Sequence, residues 1–217
     1  MGSCGMVSVK SATRYDGLLD VLQMLSGATL ALFVCMHMLF LSSVLFGAAS
    51  MNGLSTFLES MHAERIGGVV ITLVFLFHMT VTARRIPFRA AQAIDMLRHA
   101  RLLHHADTWR WIVQVLTAFA LLVLVTIHLW EGMRYLPVMA VKSAMRIQAG
   151  PWGWFYLVLL PVLFVHLAIG VWRIGVKWGV VTSARRAVAV RWERYLLGGF
   201  LGLALLTLLR LWTLPLQ

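Results

Sequence analysis

Residues 109–130 read WRWIVQVLTAFALLVLVTIHLW, an apolar run in which Gln114 and His128 are among the few polar side chains. A helix needs about 20 such residues to cross a hydrocarbon core about 30 Å thick. The whole 217-residue chain has the same character, because 60% of it is hydrophobic and only 12% is charged. A soluble domain cannot bury that much apolar surface, since about 45–50% apolar and about 25% charged residues are usual. The run therefore predicts a membrane-spanning helix.

Four further apolar runs of comparable length lie between polar or charged borders. Trp and Tyr residues cluster at several of these borders, which is typical of the interface between lipid and water. We therefore predict an all-α membrane protein in which residues 1–217 form a single membrane domain of five transmembrane helices. The predicted spans are 22–47, 67–83, 109–130, 152–176 and 195–212.

The net charge of +11 has a topological explanation. In a soluble chain such a charge suggests nucleic-acid binding, but here the 19 Lys and Arg lie mainly between apolar runs. Fourteen of them fall on the side of the N-terminus and five on the opposite side. The positive-inside rule then predicts a cytoplasmic N-terminus and an external C-terminus. The expected partner of this charge is a lipid bilayer, and no nucleic acid is expected.

The connections between the spans carry weaker expectations. Segment 86–106 interleaves apolar residues with Arg and His, which predicts an amphipathic helix on the cytoplasmic face. Asp107 and Thr108 are predicted to cap the N-terminus of the third span. Residues 54–61 are predicted to form a weakly apolar loop on the outer side, and Glu64 is expected to pair with Arg65.

Four of the eight histidines lie inside four different predicted spans: His37, His78, His128 and His166. Ionisable side chains in hydrocarbon are costly and usually functional, although each imidazole alone can simply hydrogen-bond a neighbouring helix. Consecutive spans run in opposite directions, so two of these histidines are predicted near the outer face and two toward the cytoplasm. With a rise of 1.5 Å per residue, the two levels lie roughly 15 Å apart. The outer pair is His37 with His128, and the inner pair is His78 with His166.

Two facing imidazoles suit one kind of metal centre particularly well. A haem iron takes them as axial ligands, and the iron then has no open position for oxygen chemistry. Zinc or copper sites normally have a third or fourth protein ligand, and neither pair has a Cys or carboxylate beside it in the sequence. The pattern therefore favours electron transfer.

An internal repeat accompanies the histidines. Gln23, Ser26 and Gly27 precede His37 in the first span, and Gln114, Thr117 and Ala118 precede His128 in the third, with the same 14-residue interval from Gln to His. Spans one and two are therefore predicted to be a copy of spans three and four.

Charged residues near the spans are candidates for site chemistry. Arg84, Arg85, Arg173 and Lys177 follow the inner histidines within about three helical turns, where they can contact haem propionates or act only as topology charges. Arg146 has the same two interpretations on the outer side, with Lys142 and Arg134 nearby. Glu59 can accept a proton from a hydroquinone near the outer histidines, or it is a solvated loop residue. Glu131 is a second candidate for that role.

Several motifs together resemble the di-haem cytochrome b subunit of quinol:fumarate reductase, which is related to menaquinone-linked succinate dehydrogenases. The resemblance extends over about residues 23–177. It is carried by Gln23-x-x-Ser26-Gly27 before His37-Met38, by His105-Ala106-Asp107-Thr108 leading to Gln114 and His128-Leu129, by Tyr156-Leu157-Val158-Leu159-Leu160, and by Arg173-x-x-x-Lys177-Trp178-Gly179.

The resemblance implies a role for each matching residue. It implies that His78 and His166 hold a proximal haem b, that His37 and His128 hold a distal one, and that Glu59 is the glutamate needed for menaquinol oxidation. One departure is Phe164, because some members carry there a glutamate proposed to conduct protons across the membrane. The resemblance places five residues near haem propionates: Gln23, Trp111, Arg146, Arg173 and Lys177. The predicted cofactor-binding set also contains Ser26, Arg84, Arg85 and Gln114.

The resemblance also implies an assembly. A flavoprotein carrying FAD and an iron-sulfur subunit are expected to bind on the cytoplasmic side of a bacterial inner membrane, and a dimer of the complex is compatible with this. The resemblance implies that the chain oxidises menaquinol in anaerobic respiration and does no fumarate chemistry itself. Two alternatives remain open from the sequence. One is the cytochrome b subunit of a hydrogenase or formate dehydrogenase, and the other is a haem-handling or solute transporter.

Overall fold

The computed structural model describes residues 14–86, 90–103 and 105–216, and the described residues contain helices and turns but no β-strand. Five of the helices are long and apolar enough to cross a membrane, which confirms the predicted fold class and the number of spans. The described α-helices are α1 Arg14–Ser42, α2 Ala48–Ser60, α3 Ala63–Ala83, α4 Ala90–Leu103, α5 Ala106–Arg134, α6 Ala140–Ala149, α7 Trp152–Lys177 and α8 Arg186–Trp212. The five candidate spans are α1, α3, α5, α7 and α8.

The spanning helices extend beyond the predicted spans at their charged ends. Helix α1 begins at Arg14 where the span was predicted from 22, and α8 begins at Arg186 where the span was predicted from 195. The apolar pattern marks only the part of a helix inside hydrocarbon. Backbone hydrogen bonding continues past that point, because charged side chains in the outer turns find ion-pair partners such as Asp20 with Lys177 and Arg110 with Glu193.

Two short helices lie in connections between the spans. Residues 54–61 do not form the predicted loop, because α2 continues to Ser60 and buries Met51 and Ser55 on one face. Helix α6 buries Ala140, Ala144 and Ile147 at i, i+4 and i+7 and was not predicted. Both helices are too short to span a membrane, so in the sequence they can be recognised only from the periodic spacing of their apolar residues. The two helices pack against each other, α2 also packs against α3, and α6 also packs against α8.

The N-terminal cap predicted for the third span is wrong. Helix α5 begins at Ala106, so His105 is the residue before the first turn, and no side-chain capping hydrogen bond forms there. Asp107 instead lies inside the first turn and accepts a hydrogen bond from Arg186 of α8. A carboxylate near a helix N-terminus is favourable through the helix dipole without capping it.

Helices α1, α3, α5 and α7 provide the walls of the site. The main contacts join α1 with α3, α5 with α7, and α7 with α8. Helix α8 contacts α1, α6 and α7, and Phe164 of α7 is 1% exposed in the apolar core beside it. The rings of Phe164 and Phe200 stack with centroids 6.2 Å apart. Phe164 therefore packs against α8.

Candidate functional site

One cavity of about 1180 Å³ receives all four intramembrane imidazoles: His37 from α1, His78 from α3, His128 from α5 and His166 from α7. Most of its lining is apolar, with a few polar side chains at defined places, as is usual for cofactor pockets. Three of the predicted site residues are not among its lining: Ser26, Arg84 and Glu59. The other predicted site residues that line it are Gln23, Arg85, Trp111, Gln114, Arg146, Arg173 and Lys177.

The outer pair is in direct ring contact. The centroids of His37 and His128 are 6.0 Å apart, with 69° between the ring planes. Helices α1 and α5 therefore bring two imidazole rings to one place in the cavity. Phe33 stacks on the other side of His37, with centroids 5.5 Å apart.

A polar chain continues outward from His128. The Tyr156 hydroxyl lies 3.4 Å from Nδ1 of His128 and accepts a hydrogen bond from the Arg146 guanidinium. The same guanidinium lies 4.9 Å from the ring centroid of Trp152 and 5.4 Å from that of Tyr135. These contacts hold one positive charge beside the outer pair, because cation–π contacts fix an arginine in place.

The inner histidines each contact a hydroxyl group at equivalent positions of the repeat. Ser26 Oγ lies 2.9 Å from Nδ1 of His78, and Thr117 Oγ1 lies 2.9 Å from Nδ1 of His166. Ser26 donates its only hydroxyl proton to the carbonyl of Gln23, and Thr117 donates to backbone carbonyls of α5. Each hydroxyl oxygen is placed to accept a hydrogen bond from Nδ1 of its histidine. Such a contact at one ring nitrogen fixes the orientation of the imidazole.

The two pairs lie at different levels of the bundle. Ser26 and His37 are eleven residues apart on α1, and Thr117 and His128 are eleven residues apart on α5. At 1.5 Å per residue, each interval covers about 16 Å along the helix axis. Because His37 touches His128, the same displacement on both helices places the contacts of His78 and His166 at one common level.

The wall beside His166 holds an unpaired polar atom. Gln114 Nε2 lies 3.3 Å from His166 Nε2, while Gln114 Oε1 is buried and has no hydrogen-bond partner among the described residues. Buried polar atoms are nearly always paired. An orphan at this place indicates a cavity wall built to contact a bound group.

At the inner end of the cavity, one carboxylate forms ion pairs with three of the predicted basic residues. Asp20 forms ion pairs with Arg84, with Arg85 at 2.5 Å and with Lys177 at 2.6 Å. Arg84 also donates to Gln23 Oε1 at 3.5 Å. The three cations come from the ends of α3 and α7 and meet at α1, so the inner end of the cavity carries concentrated positive charge.

The sequence of this chain is similar to those of known membrane subunits. The family described as succinate dehydrogenase/fumarate reductase transmembrane subunit matches residues 93–208, which is more than half of the chain. The chain belongs to this transmembrane subunit family. A fumarate reductase cytochrome b subunit of Wolinella succinogenes is 29% identical over 184 residues, which cover 81% of this chain and 72% of the relative. A protein of the same name from Helicobacter pylori is 30% identical over 170 residues, covering 74% and 67%. The predicted resemblance is confirmed.

In this transmembrane subunit, two acidic residues occupy positions that sequence reasoning missed. Asp20 was not predicted as a site residue, although its spacing of three from Gln23 puts both on one face of α1. Glu64 does not pair with Arg65. It lines the cavity and accepts hydrogen bonds from Ser55 Oγ at 2.8 Å and from the backbone N–H of Val138 at 3.0 Å.

Glu59 lies on the last turn of α2 and outside the cavity lining. Its Oε2 is buried without a hydrogen-bond partner among the described residues. A carboxylate oxygen left unpaired in this way is costly to bury. The Glu59 carboxylate therefore has one oxygen available to a further partner.

Proposed function

We propose that this subunit is the di-haem cytochrome b of a quinol:fumarate reductase, which oxidises menaquinol and passes the electrons to an iron-sulfur subunit. The observation that carries the proposal is the placement of four imidazoles, one from each of four spans, around one cavity at two levels. The names of the relatives support the same function, since they are fumarate reductase cytochrome b subunits. They favour this complex over a hydrogenase, a formate dehydrogenase or a transporter.

The residues around the cavity fit two b haems. We assign the distal haem iron to His37 and His128 and the proximal one to His78 and His166. Among residues 14–86, 90–103 and 105–216, no group of three or more His, Cys, Asp or Glu is placed to hold a metal ion, and zinc sites normally have at least three protein ligands. A haem bound between two imidazoles supplies a one-electron carrier without an open iron position.

Cations and amides at the two ends of the cavity suit the propionate groups of haem. Arginine and lysine form strong charge-assisted hydrogen bonds with carboxylates. At the outer end, Arg146 is held by the Tyr156 hydroxyl and by three aromatic rings, those of Tyr135, Trp152 and Tyr156 itself. At the inner end, the proposed contacts are Gln23, Arg84, Arg85, Trp111, Gln114, Arg173 and Lys177.

Quinol oxidation requires a proton acceptor near the outer pair. Oxidation of one menaquinol releases two protons and two electrons. We assign the first acceptor to Glu59, because a positioned carboxylate can take a proton as the electron leaves and its Oε2 is unpaired. Phe164 stands at the position where some members of the family have a glutamate. Its phenyl ring cannot accept or donate a proton, so this position cannot conduct protons across the membrane.

The charge asymmetry supports an orientation for the complex. Fourteen basic residues on one side against five on the other favour a cytoplasmic N-terminus and an external C-terminus in a bacterial inner membrane. In this orientation the inner pair faces the cytoplasm. The iron-sulfur subunit and the FAD-carrying flavoprotein then bind on that side, and a dimer of the whole complex is compatible with the arrangement.

A reduced-minus-oxidised absorbance spectrum of the purified complex tests the proposed function. We expect two haems per copy of this subunit, each low-spin with two imidazole ligands. Extraction and quantification of haem against protein gives the stoichiometry independently of the spectrum. Fewer than two haems per chain contradicts the assignment of the four histidines.

Gly27→Val is expected to displace the inner haem selectively. A Cβ atom at Gly27 comes within 3.1 Å of Cε1 of His78, and the valine methyl groups enlarge that conflict. Changing groups that orient a metal ligand costs about 10–100-fold in metal affinity, and we expect a loss of inner haem in that range, measured by haem retention on dilution.

Gly17→Val is the matched control for this prediction. Gly17 lies on the same helix, and no atom lies within 4 Å of a Cβ built there. Equal loss of inner haem in both variants indicates a general effect of valine in α1 and contradicts the proposed contact.

A further inference from the structure

The Asp20 carboxylate is the meeting point of three helices at the inner end of the cavity. Its Oδ1 accepts hydrogen bonds from Arg84 and from Arg85, and its Oδ2 accepts one from Lys177 at 2.6 Å. The carboxylate is 18% exposed, whereas the side chains of Arg85 and Lys177 are 52% and 50% exposed. The cations therefore reach in from the surface toward a mostly buried anion.

Asp20 is connected to the inner histidine through one face of α1. Asp20, Gln23 and Ser26 follow one another at intervals of three residues, which places them on the same side of a helix. Asp20 and Gln23 both accept hydrogen bonds from Arg84, and Ser26 contacts His78. Movement of the cations is thus coupled by direct contacts to the wall that orients His78.

Basic side chains outnumber acidic ones in the described lining at the inner end of the cavity. Arg85, Arg173 and Lys177 line the cavity and Arg84 lies directly beside it. Asp20 and Glu64 are the acidic residues of the described lining, and Glu64 belongs to the outer end through Ser55 and Val138. Trp111 occupies the place in α5 that is equivalent to Asp20 in the repeat. Among the described residues that line the cavity, Asp20 is consequently the carboxylate of the inner end, where Arg85, Arg173 and Lys177 provide the positive charge.

We propose that Asp20 is a positioning residue for the inner redox centre. It holds Arg84, Arg85 and Lys177 at the inner end of the cavity and sets the reduction potential there with its negative charge. This rests on the proposed function, since it requires a haem between His78 and His166. Partly buried charges are screened less by salt than exposed ones, so Asp20 acts on the potential more strongly than a surface carboxylate does.

Asp20→Asn in the intact complex tests this inference by redox titration of the haem absorbance. Loss of a negative charge favours the reduced haem, because that form carries one positive charge less than the oxidised form. We expect at least a tenfold higher ratio of reduced to oxidised inner haem at a fixed applied potential. This is a positive shift of about 59 mV for a one-electron couple. The outer haem, about 16 Å further along the helices, is expected to keep its potential.

Three further variants separate charge from structure. Asp20→Glu retains the charge and is expected to restore the potential toward that of the unaltered complex. Glu193→Gln removes a carboxylate that pairs with Arg110 at 2.9 Å outside the cavity lining, and is expected to leave the inner potential unchanged. Arg84→Gln removes a cation and is expected to shift the potential in the negative direction, which a nonspecific loosening of the helices does not explain.

The outcomes distinguish this inference from the proposed function. Fewer than two haems in the unaltered complex contradicts the proposed function itself. With two haems present, an unchanged inner potential in Asp20→Asn overturns the role of Asp20, as does an equal shift of both haems. Loss of the inner haem alone in Asp20→Asn, with retention in Asp20→Glu, supports the positioning of the cations. If both Asp20 variants fail to assemble, an unchanged inner potential in Arg84→Gln overturns the inference, because Arg84 is a cation that Asp20 holds at this end.

Discussion

His166→Ala is expected to abolish binding of the inner haem and to leave the outer haem in place. His166 provides an imidazole whose Nδ1 is held by Thr117 at 2.9 Å, so alanine removes both the ligand and its orienting contact. A haem bound at the inner pair would then have one protein ligand instead of two. We expect the haem content to fall from two to one per chain and assembly with the soluble subunits to weaken, as measured by haem extraction and size-exclusion chromatography. His78→Ala is expected to have the same effect.

The outer pair provides the internal reference for this experiment. His37 and His128 contact each other at a level about 16 Å away, so their haem is expected to keep its spectrum. His105→Ala is a matched control, because His105 precedes the first turn of α5 without a side-chain capping bond. Two haems in His166→Ala, or loss of both haems in His105→Ala, contradicts the assignment of the inner ligands.

The five spans could be predicted from the sequence because hydrocarbon imposes a one-dimensional rule. Every residue of a run such as 109–130 must be apolar or internally bonded, so the run is visible without knowing its neighbours. Helices α2 and α6 follow no such rule. Their buried residues, such as Ser55 in α2 and Ala144 in α6, are recognised only from the surfaces that they cover.

The contact of His37 with His128 was predictable for a related reason. The position of a residue along a span gives its depth, and depth alone separates His37 and His128 from the other two. Depth does not tell which side chains meet at one level. Asp20 finds its cations on α3 and α7, and Glu64 bonds Ser55 and Val138 in place of its sequence neighbour Arg65. Such contacts depend on which helices are adjacent, so they emerged only from the structure.

Glu59→Gln is expected to stop menaquinol oxidation while both haems remain bound. The amide keeps the size of the side chain but cannot accept a proton, and general-base groups contribute about 10²–10⁴-fold to rate. We therefore expect at least about a 100-fold loss of menaquinol-dependent fumarate reduction. Fumarate reduction by a dye that donates directly to the soluble subunits is expected to be unchanged. The two assays together localise the defect to the quinol side of the haems.

Glu131→Gln is the matched control on the same side of the membrane. Glu131 follows the His128 segment and pairs with Arg134 at 3.4 Å, whereas Glu59 Oε2 has no partner among the residues that the structure describes. The Glu131 carboxylate is already engaged by a cation, so this variant is expected to retain quinol oxidation. Normal turnover in Glu59→Gln rules out its role, and loss of turnover in Glu131→Gln instead transfers that role to Glu131.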